Sequence, residues 1–436
     1  MEPVLFLGML AVLFFHCCHR RLYCTLILGL TLIASAGRLT APAFSAEPTA
    51  NATAAATPIP KLTQPASKSE PPPATKASEA VTFPLRDDDA PPAKPHLALL
   101  LPLKSTSFRG AAETVKQGFQ AAAEINPDKD LPIRIYPLEN EAAALLAAYD
   151  EAVAAGATAV VAALTRDGAT LLVKEEVVRL PTLALNIPEG HGPLPDPLYC
   201  LSLSLEGEAR QVARLAFHDG KRKAIILTAA TPLATRVQAA FEDEWQKLGA
   251  ELLAQLAFSD EQKALAKFRT ALEEKAPDLI FIAGDAAMAR TARPHLGTGI
   301  AIYATSQLFD PNGGAAAFLD LQDIRFIDMP WLLQPEHPAV AIYPRLPKPL
   351  ASQQERLYAL GIDAYRLATL LASGSTPELA DGVTGRITLT ERHILERELT
   401  PAVIEEGGGA ALATSASTSP KPTPPAVSPA PAPPAQ

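Results

Sequence analysis

The chain has 436 residues, 42 of them proline, and a formal net charge of −9. An acidic balance with no long Lys/Arg run excludes a nucleic-acid binder working through a basic face. Pro, Ala, Ser and Thr dominate residues 41–95 and 410–436; such segments bury too little apolar surface to offset their ordering entropy, which leaves about 310 residues to fold, enough for two lobes.

Residues 1–46 read as a leader. An apolar run over residues 3–15 precedes "HCCHRR" (16–21), a second apolar run covers 22–37, and "AFSA" (43–46) has the small-residue pattern of a signal-peptidase site. The second run is shorter than the ~20 residues of a membrane span, and Arg20 and Arg21 supply a positive flank. The expectation is a cleaved signal segment whose translation starts downstream of Met1, the alternative being an uncleaved membrane anchor. "HCCH" lacks the second ligand pair of a tetrahedral site, so no metal is expected. Three of the four cysteines fall in the leader; Cys200, within the apolar alternation "LYCLSLSL" (198–205), reads as a small buried hydrophobe. Residues 47–95 read as a disordered linker.

From His96 the pattern alternates. Strand-like runs are "HLALLL" (96–101), "IRIY" (133–136), "AVVAA" (159–163), "TLALN" (182–186), "KAIILTA" (223–229), "ELLAQLAF" (251–258), "DLIFIA" (278–283), "IAIYA" (300–304) and "IRFIDM" (324–329). Helical periodicity lies between most of them: Val115, Phe119 and Ala122 share one face, and Leu233, Val237, Phe241, Trp245 and Leu248 make one apolar stripe. Continuous apolar strands alternating with helices predict parallel sheets covered on both faces. Two sets with a seam near 203–206 predict an α/β fold of two doubly wound lobes joined by hinge crossovers. Lobe 1 is expected over about 96–203 and 334–380, lobe 2 over about 204–333 and 381–406, and a disordered tail over 407–436. The helix predicted over 354–371 returns to the first lobe, with Leu357, Leu360 and Ile362 facing in and Gly361 permitting close helix approach. "GVTGRI" (382–387) opens a final β-hairpin.

Ligands of such sheets sit outside the carboxyl ends of the strands. The polar residues there are Ser105, Thr106, Thr165, Arg166, Asn186, Thr231, Asp285, Thr305, Ser306 and Gln307. They are the ligand-cleft candidates, with Arg166 as the anion partner; the local alternative for Thr305–Gln307 and Asp285 is helix or turn capping. Pro330 and Trp331 suit an interlobe crossover, with Trp331 packed across the hinge. The globular part holds no G-x-x-x-x-G-K-[ST], H-E-x-x-H, G-x-S-x-G or S-x-x-K, and His96, His191, His218, His295, His337 and His393 are scattered without metal-ligand spacing. No catalytic residue, metal or cofactor is therefore expected.

"LALLLPL" (97–103) followed by "VKQGFQAA" (115–122) resembles the opening of a type I periplasmic-binding-protein fold. "PDLIFIAGDAAMAR" (277–290), "IYATSQLF" (302–309), "DMPWLL" (328–333), "RLYALGIDAYRL" (356–367) and "GVTGRITL" (382–389), in that order, resemble the penicillin-binding-protein activator family of LppC/LpoA type. The resemblance implies a non-catalytic envelope protein that binds and stimulates a bifunctional peptidoglycan synthase, without a cofactor. The runner-up is a periplasmic solute-binding protein for an amino acid or small anion. Full-length members of the family add a helical-repeat domain where this chain has a Pro/Ala-rich linker, and Cys24 starts the second apolar run instead of ending it as a lipid-anchoring cysteine would. Membrane association is expected only through an uncleaved leader, and the location is expected to be the periplasm or the cell envelope.

Overall fold

The computed structural model describes residues 94–125, 131–190, 192, 194–297, 299–406 and 409–413. The leader, nearly all of the linker and residues 414–436 lie outside them. No helix of the described residues is long and apolar enough to cross a membrane.

The chain begins with a strand whose six residues are all buried, β1 (His96–Leu101). An uninterrupted apolar run demands such cover on both faces. There follow α1 (Arg109–Ile125), β2 (Ile133–Pro137), α2 (Glu141–Ala154), β3 (Ala157–Ala162), α3 (Arg166–Lys174), β4 (Thr182–Ala184) and β5 (Leu198–Leu201). The second set is α4 (Leu205–His218), β6 (Lys223–Thr228), α5 (Pro232–Lys247), β7 (Glu251–Ala257), α6 (Gln262–Lys275), β8 (Leu279–Ala283), α7 (Ala286–Ala292), β9 (Ala301–Ala304) and β10 (Arg325–Asp328). Short helices α8 (Pro330–Leu333) and α9 (Pro338–Ala341) lead to the long α10 (Ser352–Ala372), and four strands close the fold: β11 (Arg386–Leu389), β12 (Ile394–Glu398), β13 (Thr400–Ile404) and β14 (Ala410–Leu412).

Two seven-stranded sheets result, ordered β11-β12-β5-β4-β3-β1-β2 and β14-β13-β10-β9-β8-β6-β7. Within each, five consecutive βα strands are parallel, and antiparallel pairs appear only among the last four strands and their neighbours. Two expectations are corrected here. Residues 386–398 do not join lobe 2: Ile394 and Leu395 pair in parallel with Cys200 and Leu201, so the final hairpin extends the first sheet. The tail is not without structure from residue 407, because Ala410–Leu412 pairs antiparallel with β13 and satisfies its outer edge.

The chain passes between the sheets three times. Residues 202–204 link β5 to α4. A longer path runs from β10 through α8 and α9 to α10. The third crossing is Leu399 alone, since β12 ends at Glu398 in one sheet and β13 begins at Thr400 in the other. Leu399 is buried.

One continuous core joins the α1/α10 face of the first sheet to the α4/α5 face of the second; two further cores back the opposite faces. α1 and α10 approach backbone to backbone. A Cβ on Gly361 would collide with the carbonyl oxygen of Val115, and one on Gly118 with that of Tyr358. On α5, Phe241 stacks on Phe281 with ring centroids 4.1 Å apart, and the buried Trp245 donates its indole N–H to the Glu251 carbonyl at 3.0 Å, as the stripe predicts.

Candidate functional site

The first-sheet strand ends form a pocket of about 370 Å³ that brings together Ser105, Thr106 and Thr165 with Lys104, Asn140 and Glu141. Four of its polar side chains, Ser105, Asn140, Glu141 and Thr165, are already engaged within the protein. Asn140 caps α2 through Ala142 N–H. Glu141 is buried and accepts from Leu164 N at 2.8 Å, Thr165 N at 2.9 Å and Thr165 Oγ1 at 2.5 Å. It thereby staples the start of α2 to the β3–α3 turn, where Thr165 also caps Gly168 N. Burial raises the Glu141 carboxyl above the usual range, against the pull of those hydrogen bonds. Ser105 accepts from Phe108 N at 3.3 Å.

Arg166 opens α3 but is not left to an anion. Its guanidinium stands 3.7 Å from Glu206 of α4, which also receives Arg236 of α5 at 2.8 Å. Glu206 thus sits between a cation of each lobe. Burial pushes its carboxyl up, but hydrogen bonds from Arg236, backbone and Ser204 prevail and hold it below its ordinary value. Asn186 bonds the Leu164 carbonyl and its neighbour's N–H.

On the second lobe, Thr231 caps α5 through Ala234 N and Asp285 caps α7 through Met288 N. Neither lines the first-lobe pocket. Thr305 and Ser306 are buried, and Gln307 half-buried; Thr305 Oγ1 has no hydrogen-bond partner among the described residues. What this stretch does is visible in its backbone. Ser306 N–H donates to Glu208 of α4 at 3.0 Å, and the Ser306 and Phe309 carbonyls accept from Arg356 of α10 at 2.9 and 3.2 Å.

Those contacts belong to a buried interlobe brace. Arg356, on the first-lobe helix α10, grips Asp328, at the end of second-lobe β10, with two bonds of 2.6 and 3.2 Å. Glu208 faces Arg397 of β12 at 3.9 Å, and Arg397 donates to the carbonyls of Ser202 and Thr384. Gln211 of α4 bonds the chain where it enters the Leu399 crossing, donating to Arg397 O and accepting from Leu399 N. Asp363 of α10 accepts Val383 N, Thr384 N and Thr384 Oγ1 at 2.7–3.1 Å. Nearer the surface, Asp310 accepts from Ser352 at 2.6 Å and Asn312 donates to Leu350 O at 2.8 Å. Burial raises the carboxyls of Glu208, Asp328 and Asp363, with the facing cations or hydrogen bonds opposing it.

Pro330 starts α8, and Trp331 behind it is fully buried. Its indole N–H donates to Glu355 of α10 at 2.7 Å, its backbone N–H bonds the Val383 carbonyl, and the Arg345 guanidinium lies 3.4 Å above its ring. Trp331 packs between the β10 exit and α10, with no open face for a ligand to stack on.

Arg356, Asp328, Glu208, Arg397 and Asp363 were not among the sequence candidates. A charge on an amphipathic helix ordinarily reads as its solvent face. One signal was available: Asp363 interrupts a stretch of α10 that is apolar on every side, from Tyr358 to Ala364, and a charge there must be buried and bonded.

The family model described as "LppC putative lipoprotein" matches residues 92–407. Among curated proteins, the penicillin-binding protein activator LpoA of Vibrio cholerae is 26% identical over 339 residues, 69% of this chain and 55% of that protein. The namesake of Edwardsiella piscicida is 28% identical over 65% of this chain and 46% of its own. The chain thus spans about half the length of the curated relatives it matches. Among solved structures, a "putative branched-chain amino acid ABC transporter" from Chromobacterium violaceum is 36% identical with a TM-score of 0.62, covering 71% of this chain and all of that one. The C-domain of Haemophilus influenzae LpoA, described as a regulator of PBP1A, is 21% identical with a TM-score of 0.60 over 73% of this chain and all of that one. The architecture is that of the type I periplasmic-binding-protein fold.

Proposed function

The chain belongs to the LppC family, and from that premise we propose that it is a non-catalytic envelope regulator that binds and activates a bifunctional peptidoglycan synthase, a penicillin-binding protein. The observation that carries this reading is the family match over residues 92–407, which takes in both lobes up to the last strand, β14, together with curated relatives named penicillin-binding protein activators. The geometry supports a docking role. Arg356–Asp328 and Glu208–Arg397 tie the lobes through buried ion pairs, and five of the ten strand-end candidates, Ser105, Thr165, Asn186, Thr231 and Asp285, cap helices or bond local backbone. A body with fixed lobes presents a constant outer surface to a partner. Activation then follows from binding the active conformation of the synthase more tightly than the inactive one, a tenfold preference corresponding to about 1.4 kcal/mol. The site of action is the periplasmic face of the cell envelope.

The test is reconstitution of the full chain with candidate bifunctional synthases and measurement of crosslinked product. Faster crosslinking with one of them is expected; binding without any rate change across the set makes the protein a scaffold and defeats the proposal.

A second reading, solute binding, is favoured by the likeness to the 36%-identical Chromobacterium protein, itself described as a branched-chain amino acid transporter. Its site would be the pocket of Ser105, Thr106 and Thr165. A stoichiometric amino acid released from the purified protein, and lost on Thr106→Ala, would favour it over activation.

A further inference from the structure

A pocket of about 300 Å³ lies beside the Leu399 crossing. Glu398, Leu399, Thr400 and Pro401 form one side of it, and Pro330 and Gln334, at the two ends of α8, belong to another. The buried Val340 gives it an apolar stretch of wall. Its polar lining is mixed in sign: Arg386 and Glu398, register partners across β11 and β12, both face it, as does Asp381. The last described residues lead to this pocket. β14 runs antiparallel to β13, with Ile404 opposite Ala410 and Ala402 opposite Leu412, so each further residue moves toward Thr400. Ala413 N–H donates to the Pro401 carbonyl at 3.0 Å, and β14 lies against α8. The ladder cannot run on past Thr400, because at Leu399 the neighbouring strand crosses to the other sheet.

The residues that follow, 414–419, read TSASTS. At about 3.3 Å per residue they span about 20 Å, enough to cross a pocket of this volume. Their chemistry fits its lining. A hydroxyl both donates and accepts, so it serves Arg386 and Glu398 alike, and an uncharged segment is repelled by neither. The next stretch, PKPTPP (420–425), suits the pocket less, because its four prolines lack the N–H donor and Lys421 adds a charge. Tethering helps as well. A segment attached at Ala413 acts at an effective concentration of roughly millimolar, so contacts too weak to hold a free peptide keep it in place. We infer that residues 414–419 of this chain fold back into the pocket and cover the Leu399 crossing. A partner that used this pocket would first have to displace them. The inference does not depend on the activator reading.

The test is amide hydrogen exchange on the full chain, with a synthetic peptide of residues 411–425 as the unprotected reference. Residues 414–419 are expected to exchange at least about fivefold more slowly in the chain than in the peptide. Ala380→Trp should abolish that protection by filling the pocket from an exposed position of its lining. Thr376→Trp, in the same loop but outside the lining, should leave it intact. Exchanging both Ser415 and Ser417 for Trp should abolish it too, since two indoles do not fit about 300 Å³; this variant leaves the folded body untouched and guards against a fold defect in the first. Exchange at the reference rate, protection that survives both pocket-blocking variants, or protection that grows with protein concentration and so belongs to contact between copies, would overturn the assignment.

Discussion

The guanidinium of Arg356 and the carboxylate of Asp328 meet in a two-pronged ion pair across the lobes, with 5% and 1% of their side chains exposed. Arg356 rides on the long helix of one lobe, and Asp328 ends a strand of the other. The two lie 28 residues apart in sequence, and the same guanidinium also holds two carbonyls of the Ser306–Phe309 turn.

Breaking this pair from one side should cost far more than removing it whole. Arg356→Met leaves Asp328 buried opposite an apolar chain, and two carbonyls lose their donor. The expected loss is about 3–5 kcal/mol, read as a shift of the urea midpoint with unchanged slope. Replacing both partners by apolar residues, Arg356→Met with Asp328→Leu, should recover a substantial part of that loss, because no uncompensated charge remains. A double variant no more stable than the single one would mean that Asp328 is not an uncompensated charge once Arg356 is gone.

The fold was largely legible because the parallel strands are mostly apolar runs of three to seven residues bounded by turns, a pattern that packing on both faces imposes. β5 was visible only as the alternation around Cys200, being four residues long. The destination of the last hairpin was not legible. The exposed Glu396 and Glu398 of β12 mark a polar outer face, but whether Ile394 pairs with Cys200 or with a second-lobe strand is a long-range choice that local pattern does not encode. Of the site, the capping residues Thr165, Thr231 and Asp285 were legible by position. Their role as caps rather than ligand contacts depends on which N–H groups lie within reach. The brace was missed because Glu208, Arg356 and Arg397 look like ordinary surface charges until the second lobe covers them.

The α1–α10 crossing makes a sharper prediction about size than about charge. Gly361→Ala places a methyl against the backbone oxygen of Val115, which cannot rotate aside, so the helices must separate at a cost of about 1–3 kcal/mol or more. Gly110→Ala, in the first turn of α1 with open space around it, should instead be neutral or stabilise by up to about 1 kcal/mol, as alanine lowers the entropy of the unfolded chain. Thermal melts of the two variants compare these directly. Equal melting temperatures would show that the helix contact yields without strain.

Cys200 should be inert in the folded protein. It is fully buried in β5, and burial pushes its thiol up to about 12, while alkylation requires the thiolate. Iodoacetamide followed by peptide mapping should leave the Cys200 peptide unmodified in buffer and modify it fully in denaturant. Rapid modification under native conditions would show that the hairpin side of the first sheet opens readily.

The pH dependence of stability follows from the buried carboxyls. Burial raises Glu141, Glu208, Asp328 and Asp363 above their unfolded values. A raised acid binds its proton in the native state at a pH where the unfolded chain has already released it. Its contribution is therefore fully present below the unfolded pKa and is lost as pH rises through the folded pKa. Glu206, held low chiefly by Arg236 against burial, has the opposite sign: its contribution is present above the unfolded pKa and is lost as pH falls through the folded one. With four groups against one, unfolding free energy from urea titrations is expected to hold level or rise as pH is lowered from about 7.5 to about 5. Glu206→Gln should lower stability about equally across that window and leave its slope nearly unchanged, because the Glu206 contribution is lost only below its unfolded pKa. A steady decline over the same window, undiminished in Glu206→Gln, would show that the brace carboxylates are ionised and stabilised by their cations more strongly than burial opposes them.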